Sequence, residues 1–97
     1  MLEEKWYKMS LKQQMGNIGS EFFKMIVLKN KGDLENSKNS FIKTLELTDL
    51  SIRDKRWKDR LSETLRLREI ICGLFFDIKE YNILTDNLKK YFINFSL

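Results

Sequence analysis

The sequence predicts an all-α fold, a small helical bundle, and three observations predict it. Apolar residues recur at steps of three and four along most of the chain, which is the spacing of amphipathic helices. No proline interrupts any segment, and Val, a strong strand former, occurs once. Capping residues stand where the apolar periods begin and end. At 97 residues the chain is short for division, so residues 1–97 are expected to form a single helical domain.

The first helix is expected over about residues 10–31. Ser10 and Gln13 form a capping-box pattern, and Leu11, Met15, Ile18, Phe22 and Met25/Ile26 make a near-heptad apolar stripe. Lys29 and Lys31 suit a helix C-terminus, and Gly32 is suited to end it. Asp33 is a good N-cap for a second helix over about residues 33–52, with Leu34, Ser37, Phe41, Leu45 and Thr48 or Ile52 turned inward. So short a turn makes these helices an antiparallel hairpin.

A polar connection then leads, with Asp54 as N-cap, into a third long helix over about residues 55–76. Its apolar line is Trp57, Leu61, Leu65, Arg68, Cys72 and Phe75/Phe76, with Leu67, Ile71 and Leu74 beside it. Gly73 inside this helix marks close packing against another element. Residues 77–84 have no clear period and read as a loop anchored by Tyr81 and Ile83/Leu84. Thr85 caps a short C-terminal helix over about residues 86–95, with Leu88, Tyr91, Phe92 and Phe95 on its apolar side.

Composition excludes more than it identifies. The chain has no His, so Ser-His triads, His-ligated zinc and the Glu-x-x-His di-metal centres of helical bundles cannot be built. Glu21, Glu63 and Glu69 remain as ligands for a hard cation, but nothing in the sequence clusters them, and neither metal nor cofactor is expected. One cysteine, Cys72, allows no intramolecular disulfide and lies on the apolar line as a structural thiol. The lone thiol and an N-terminus carrying acids where a secretory leader has basic residues predict a cytoplasmic protein. The longest apolar runs fall far short of the roughly 18–20 residues of a membrane span.

Three constellations merit weighing. In Gly16-Asn17-Ile18-Gly19-Ser20-Glu21 the paired glycines fit the close approach of another helix; a phosphate cradle would need a lysine and a preceding strand, which are absent. Glu21, beside the apolar stripe, is expected to form a buried ion pair with Arg68 or Arg66. Residues 53–68 carry seven basic and three acidic side chains, an excess equal to the net +4 of the whole chain. Arg53, Lys55, Arg56, Lys58 and Arg60 around Trp57 are candidate nucleic-acid contacts, with the cations on phosphates and the indole on a base. The other reading is a solvated helix face with contacts such as Arg56–Asp59, and Trp57 in the core.

Residues 32–47, from Gly32-Asp33-Leu34-Glu35-Asn36-Ser37 to Phe41-Ile42-Lys43-Thr44-Leu45-Glu46-Leu47, resemble the second helix of a tetratricopeptide repeat. Ser37 and Thr44 stand where that family has small alanines, but the preceding helix is too long for a 34-residue unit and nothing recurs at that period. Gly16–Glu21, Arg56-Trp57-Lys58-Asp59-Arg60-Leu61, Arg66-Leu67-Arg68-Glu69, Phe75-Phe76-Asp77 and Glu80-Tyr81 together resemble a family of short uncharacterised all-helical bacterial proteins, over most of residues 5–95. That resemblance implies one compact helical domain and no catalytic residue.

The function expected from these readings is a non-enzymatic helical interaction module that binds a protein partner or itself. Tyr91, Phe92 and Phe95 either close the core or join two copies in a homodimer. The alternative is weak, salt-sensitive nucleic-acid binding through residues 53–68. An enzyme would have to draw on Glu21, Arg68 and Tyr81 converging in one open pocket.

Overall fold

The computed structural model describes residues 2–95, and among them every regular element is helical. In order these are α1 (Leu2–Lys8), α2 (Leu11–Asn30), α3 (Leu34–Arg53), a 3-10 segment (Lys55–Arg60), α4 (Leu61–Phe75), α5 (Lys79–Asn82) and α6 (Thr85–Phe95). The predicted hairpin forms as α2 and α3. At its start the Ser10 hydroxyl accepts the Gln13 N–H and the Gln13 side chain accepts the Ser10 N–H, completing the capping box. At its turn Gly32 takes φ +80°; its N–H donates to the Lys29 carbonyl while the Asp33 N–H reaches back to Leu28, both at 3.0 Å. That left-handed closing pattern is what a glycine there permits. The Asp33 carboxylate then accepts the Asn36 N–H and starts α3.

The seam of the hairpin sets large apolar side chains against small polar ones. From α2 come Met15, Ile18, Phe22 and Met25; from α3 come Ser37, Ser40, Thr44, Thr48 and Ser51, with Phe41, Leu47 and Leu50. In a chain without alanine, hydroxyl residues supply the small volumes, and their O–H groups are satisfied locally. Thr44 donates to the Ser40 carbonyl and Thr48 to that of Thr44, each at 2.7 Å, while Ser37 crosses to the Met25 carbonyl. Of the expected inner stripe, Ser37, Phe41 and Thr48 face inward, whereas Leu34 is 66% exposed. Leu34 lies in the first turn of α3, directly after the hairpin turn.

Four further features differ from expectation. The N-terminus forms a helix of its own, α1, which buries Trp6. The third helix is not continuous from residue 55: the Asp54 carboxylate caps the Arg56 N–H, the Trp57 N–H bonds back three residues to Asp54, and a 3-10 turn runs to Arg60 before α4 begins. Part of residues 77–84 is helical, as α5. Thr85 is the first residue within α6 rather than its cap, its hydroxyl donating back to the Asn82 carbonyl, and the Leu88 N–H bonds to the Leu84 carbonyl. One core joins the elements, with Trp6, Trp57, Phe22, Ile71, Leu88 and Phe92 among its members.

Candidate interaction face

The basic stretch is assembled around a buried polar hub whose centre, Gln14, is fully buried on α2. Its side-chain oxygen accepts the Ser51 hydroxyl at 2.8 Å and the Trp57 indole N–H at 2.7 Å. Its side-chain nitrogen donates to the Trp6 carbonyl and to Asp54 Oδ2, both at 2.9 Å. The Trp6 indole N–H closes the circuit onto Ser51 Oγ. Asp54 is held in turn by the Arg56 guanidinium, which also donates to the Tyr7 carbonyl. The Arg56 hydrogen bonds above all, with its own N–H and the Gln14 amide, hold the Asp54 carboxyl down at about 2 against the opposing effect of burial. Among the described residues no buried side-chain nitrogen or oxygen lacks a partner.

Three of the five candidate nucleic-acid contacts make ion pairs within the chain, with side chains still about 40–60% exposed. Arg56 belongs to the hub, and Arg53 pairs with Glu3 of α1 at 3.5 Å. Arg60 pairs with Glu63 at 2.6 Å and lies over the Trp57 and Phe95 rings. Lys55 and Lys58 are exposed and carry no ion pair among the described residues. Trp57 is fully buried, so its indole cannot stack on a base.

The C-terminal aromatics close the core. Phe92 is buried against Phe22 and Phe23 and over Gly19, and Phe95 packs on Trp57. The Tyr91 hydroxyl donates to Glu63 at 2.5 Å; burial first, and that carboxylate second, push its phenol well above the ordinary range. Phe92 is 5% exposed and lies against Gly19, where a Cβ would meet its ring.

The expected Glu21–Arg68 pair does not form. Arg68 donates through Nε to Asp49 of α3 at 2.8 Å, and both side chains remain about 40% exposed. Glu21 lies on the far side of the hairpin, in a groove with Lys24, Asn36 and Lys43. The helical phase of α2 points Glu21 at α3 rather than at α4. Glu21, Arg68 and Tyr81 consequently share no pocket: Arg68 and Tyr81 line a groove between α4 and α5, away from Glu21. Among the described residues no three His, Cys, Asp or Glu side chains are grouped to hold a metal ion, and no helix is long and apolar enough to cross a membrane.

Among the apolar side chains left exposed is a strip along α4 and its C-terminal end. The helix carries two apolar lines, and the buried one is Thr64, Leu67, Ile71 and Leu74. The line that continues Trp57 faces out: Leu61 is 41%, Leu65 49% and Phe76 64% exposed, with Cys72 half-buried between them. Burial pushes the Cys72 thiol above its usual range. On one side the strip is bounded by α3, through Arg68–Asp49 and the stack of Phe75 on Phe41, 4.1 Å between ring centres. On the other side α5 lays Tyr81 over Gly73 and bonds its hydroxyl to Glu69. Between α4 and α5 runs an open groove of about 420 Å³, lined by Leu65, Arg68, Cys72, Ile78 and Tyr81 among others.

Sequence reasoning missed Gln14 and Trp6 and put both lines of α4 on one apolar arc, whereas only the Leu67, Ile71 and Leu74 line is buried. The available signal was stereochemical: each tryptophan needs an acceptor for its indole N–H when buried, and Gln14 lies three positions past Leu11 and four before Ile18, inside the apolar stripe. Compared with known protein families, curated proteins and solved structures, the chain matches none.

Proposed function

We propose that the chain is a non-enzymatic helical interaction module that binds a protein partner, either another chain or a second copy of itself. The observation supporting this is that Leu61, Leu65 and Phe76, with half-buried Cys72 between them and Ile78 beyond, line up exposed along one side of α4 and its C-terminal end. Exposed apolar groups that line up on one face, with charged groups at its edges, are the surface property that marks protein contacts. A cytoplasmic setting fits the single reduced thiol.

The test is retention of proteins from the native host by the tagged chain, with and without nuclease, alongside a Leu65→Lys variant. The expected outcome is a protein retained by the unaltered chain, insensitive to nuclease and lost from the variant. Retention equal for both chains, or abolished by nuclease, overturns the reading. Nucleic-acid binding through residues 53–68 has less support, because Arg53, Arg56 and Arg60 are already paired. Lys55→Glu with Lys58→Glu is accordingly expected to leave retention on RNA and DNA unchanged.

A further inference from the structure

We propose that the recess between α4 and α6 is a binding site for a small uncharged aromatic molecule of one or two fused rings. The site lies on another side of α4 from the exposed strip, and it stands independently of the protein-contact reading. Helical spacing builds it. Glu63, Arg66, Leu67 and Ile70 stand at i, i+3, i+4 and i+7 on α4; Leu84, Asn87, Leu88 and Tyr91 repeat that spacing from the residue before α6 onward. The Tyr91 hydroxyl joins the last position of one face to the first of the other through Glu63.

Each helix is anchored on the hairpin by other residues. Phe92 of α6 packs on Phe22 and Phe23, while α4 is held through Phe75 on Phe41 and Arg68 on Asp49. The two helices therefore leave a space of about 200 Å³ between them. Leu67 and Leu88 are its buried lining, and Ile70 and Leu84 are half-buried beside them. Water in a recess walled by aliphatic side chains finds few hydrogen-bond partners, so an apolar molecule gains by displacing it.

Size and charge define the occupant. An apolar cavity of about 150 Å³ takes one benzene, so this volume corresponds in proportion to about eight heavy atoms, between benzene and indole. The ring of Tyr91, pinned by its bond to Glu63, supplies an aromatic wall that favours a flat ring. The charges at the rim are already matched: Glu63 accepts the Arg60 guanidinium as well as the Tyr91 hydroxyl, and Arg66 pairs with Glu69. Tyr91 keeps its proton, because burial first and Glu63 second push its phenol above the ordinary range. An ionic ligand would lose its hydration here against no unmatched countercharge. Exposed Asn87 at the rim presents an amide to one polar group on the ring, such as an indole N–H.

Titration with indole, toluene and benzoate, followed through methyl NMR signals, tests this. Indole and toluene are expected to shift the Leu67, Ile70, Leu84 and Leu88 methyls saturably, while those of Leu65 and Ile83, exposed elsewhere, stay in place. Benzoate, the size of toluene with a charge added, is expected to bind about tenfold more weakly or not at all. Ile70→Phe and Leu84→Phe, which fill the recess, should each weaken indole about tenfold or more while circular dichroism shows the helices retained. Leu65→Lys, which tests the protein-contact reading, should leave indole binding unchanged. Shifts that rise linearly to the solubility limit, or that reach Leu65 and Ile83 equally, overturn the site whatever the variants do. Undiminished indole binding by folded filling variants overturns it too, and benzoate binding as tightly as toluene overturns the uncharged class of ligand.

Discussion

At the scale of single residues, Gln14 concentrates more of the structure than any other side chain. It satisfies the Trp57 indole, the Ser51 hydroxyl, the Trp6 carbonyl and one lone pair of Asp54. Gln14→Leu keeps the volume but leaves several of these groups buried without partners, each costing about 1–3 kcal/mol. A loss of about 3–4 kcal/mol is expected in urea denaturation, and a loss below about 1 kcal/mol would show that the hub relaxes. Asp54 adds a pH dependence with a defined sign. Its carboxyl is lowered from 3.8 to about 2 in the folded chain, so the unfolded chain takes up the proton first as pH falls. The stabilisation, about 2 kcal/mol, is fully present above about pH 4 and is lost toward pH 2. Asp54→Asn should flatten the stability profile in that window, and an unchanged profile would contradict the assignment.

At the scale of elements, three glycines sit in helices and carry opposite expectations. A methyl group at Gly16 meets nothing within 4 Å, so Gly16→Ala is expected to stabilise by up to about 1 kcal/mol through helix propensity alone. At Gly19 the same methyl would lie 2.9 Å from the Phe92 ring, and at Gly73 only 2.4 Å from that of Tyr81. Gly19→Ala should therefore displace α6, and Gly73→Ala should displace α5 and release Glu69, both lowering the melting temperature despite better propensity. Equal stabilisation at all three sites would refute the close packing. Local chemistry made much of this level legible: the Ser10–Gln13 box and the Gly32–Asp33 turn are set by residues within one helical turn, and the hairpin follows from them. The phase of α4 was not legible. Two apolar lines run along it, and which one faces inward is decided by α2, α3 and α6 rather than by the helix itself. Helix α1 escaped notice because only Trp6 among its seven residues is buried. The candidate site suffered likewise, since Tyr91, Phe92 and Phe95 signal an apolar face whether it meets the core or another molecule.

At the scale of the whole molecule, hydrogen bonds between residues far apart in sequence bind the ends of the chain to its middle. Trp6 reaches Ser51 across 45 residues, Gln14 reaches Trp57 across 43, and Phe95 of α6 closes on Trp57. At the opposite end Lys29 of α2 donates to the Leu74 carbonyl and pairs with Asp77, fastening the C-terminus of α4 to the hairpin. With α1, α2, α3 and the 3-10 segment meeting at one hub and α6 packed over it, no helix that touches the hub can leave without exposing groups the others need. Unfolding is then expected to be cooperative, with both tryptophans reporting the same event as the helices. Fluorescence of Trp6 and Trp57 and far-ultraviolet circular dichroism should give coincident urea transitions. Trp6→Phe, which deletes the bond to Ser51 but keeps a ring in place, should lower the midpoint by about 1–2 kcal/mol equivalent without separating the two signals. If fluorescence shifts well before helicity falls, α1 and the hub melt as a unit apart from the hairpin, and the molecule is held together by α2 and α3 alone.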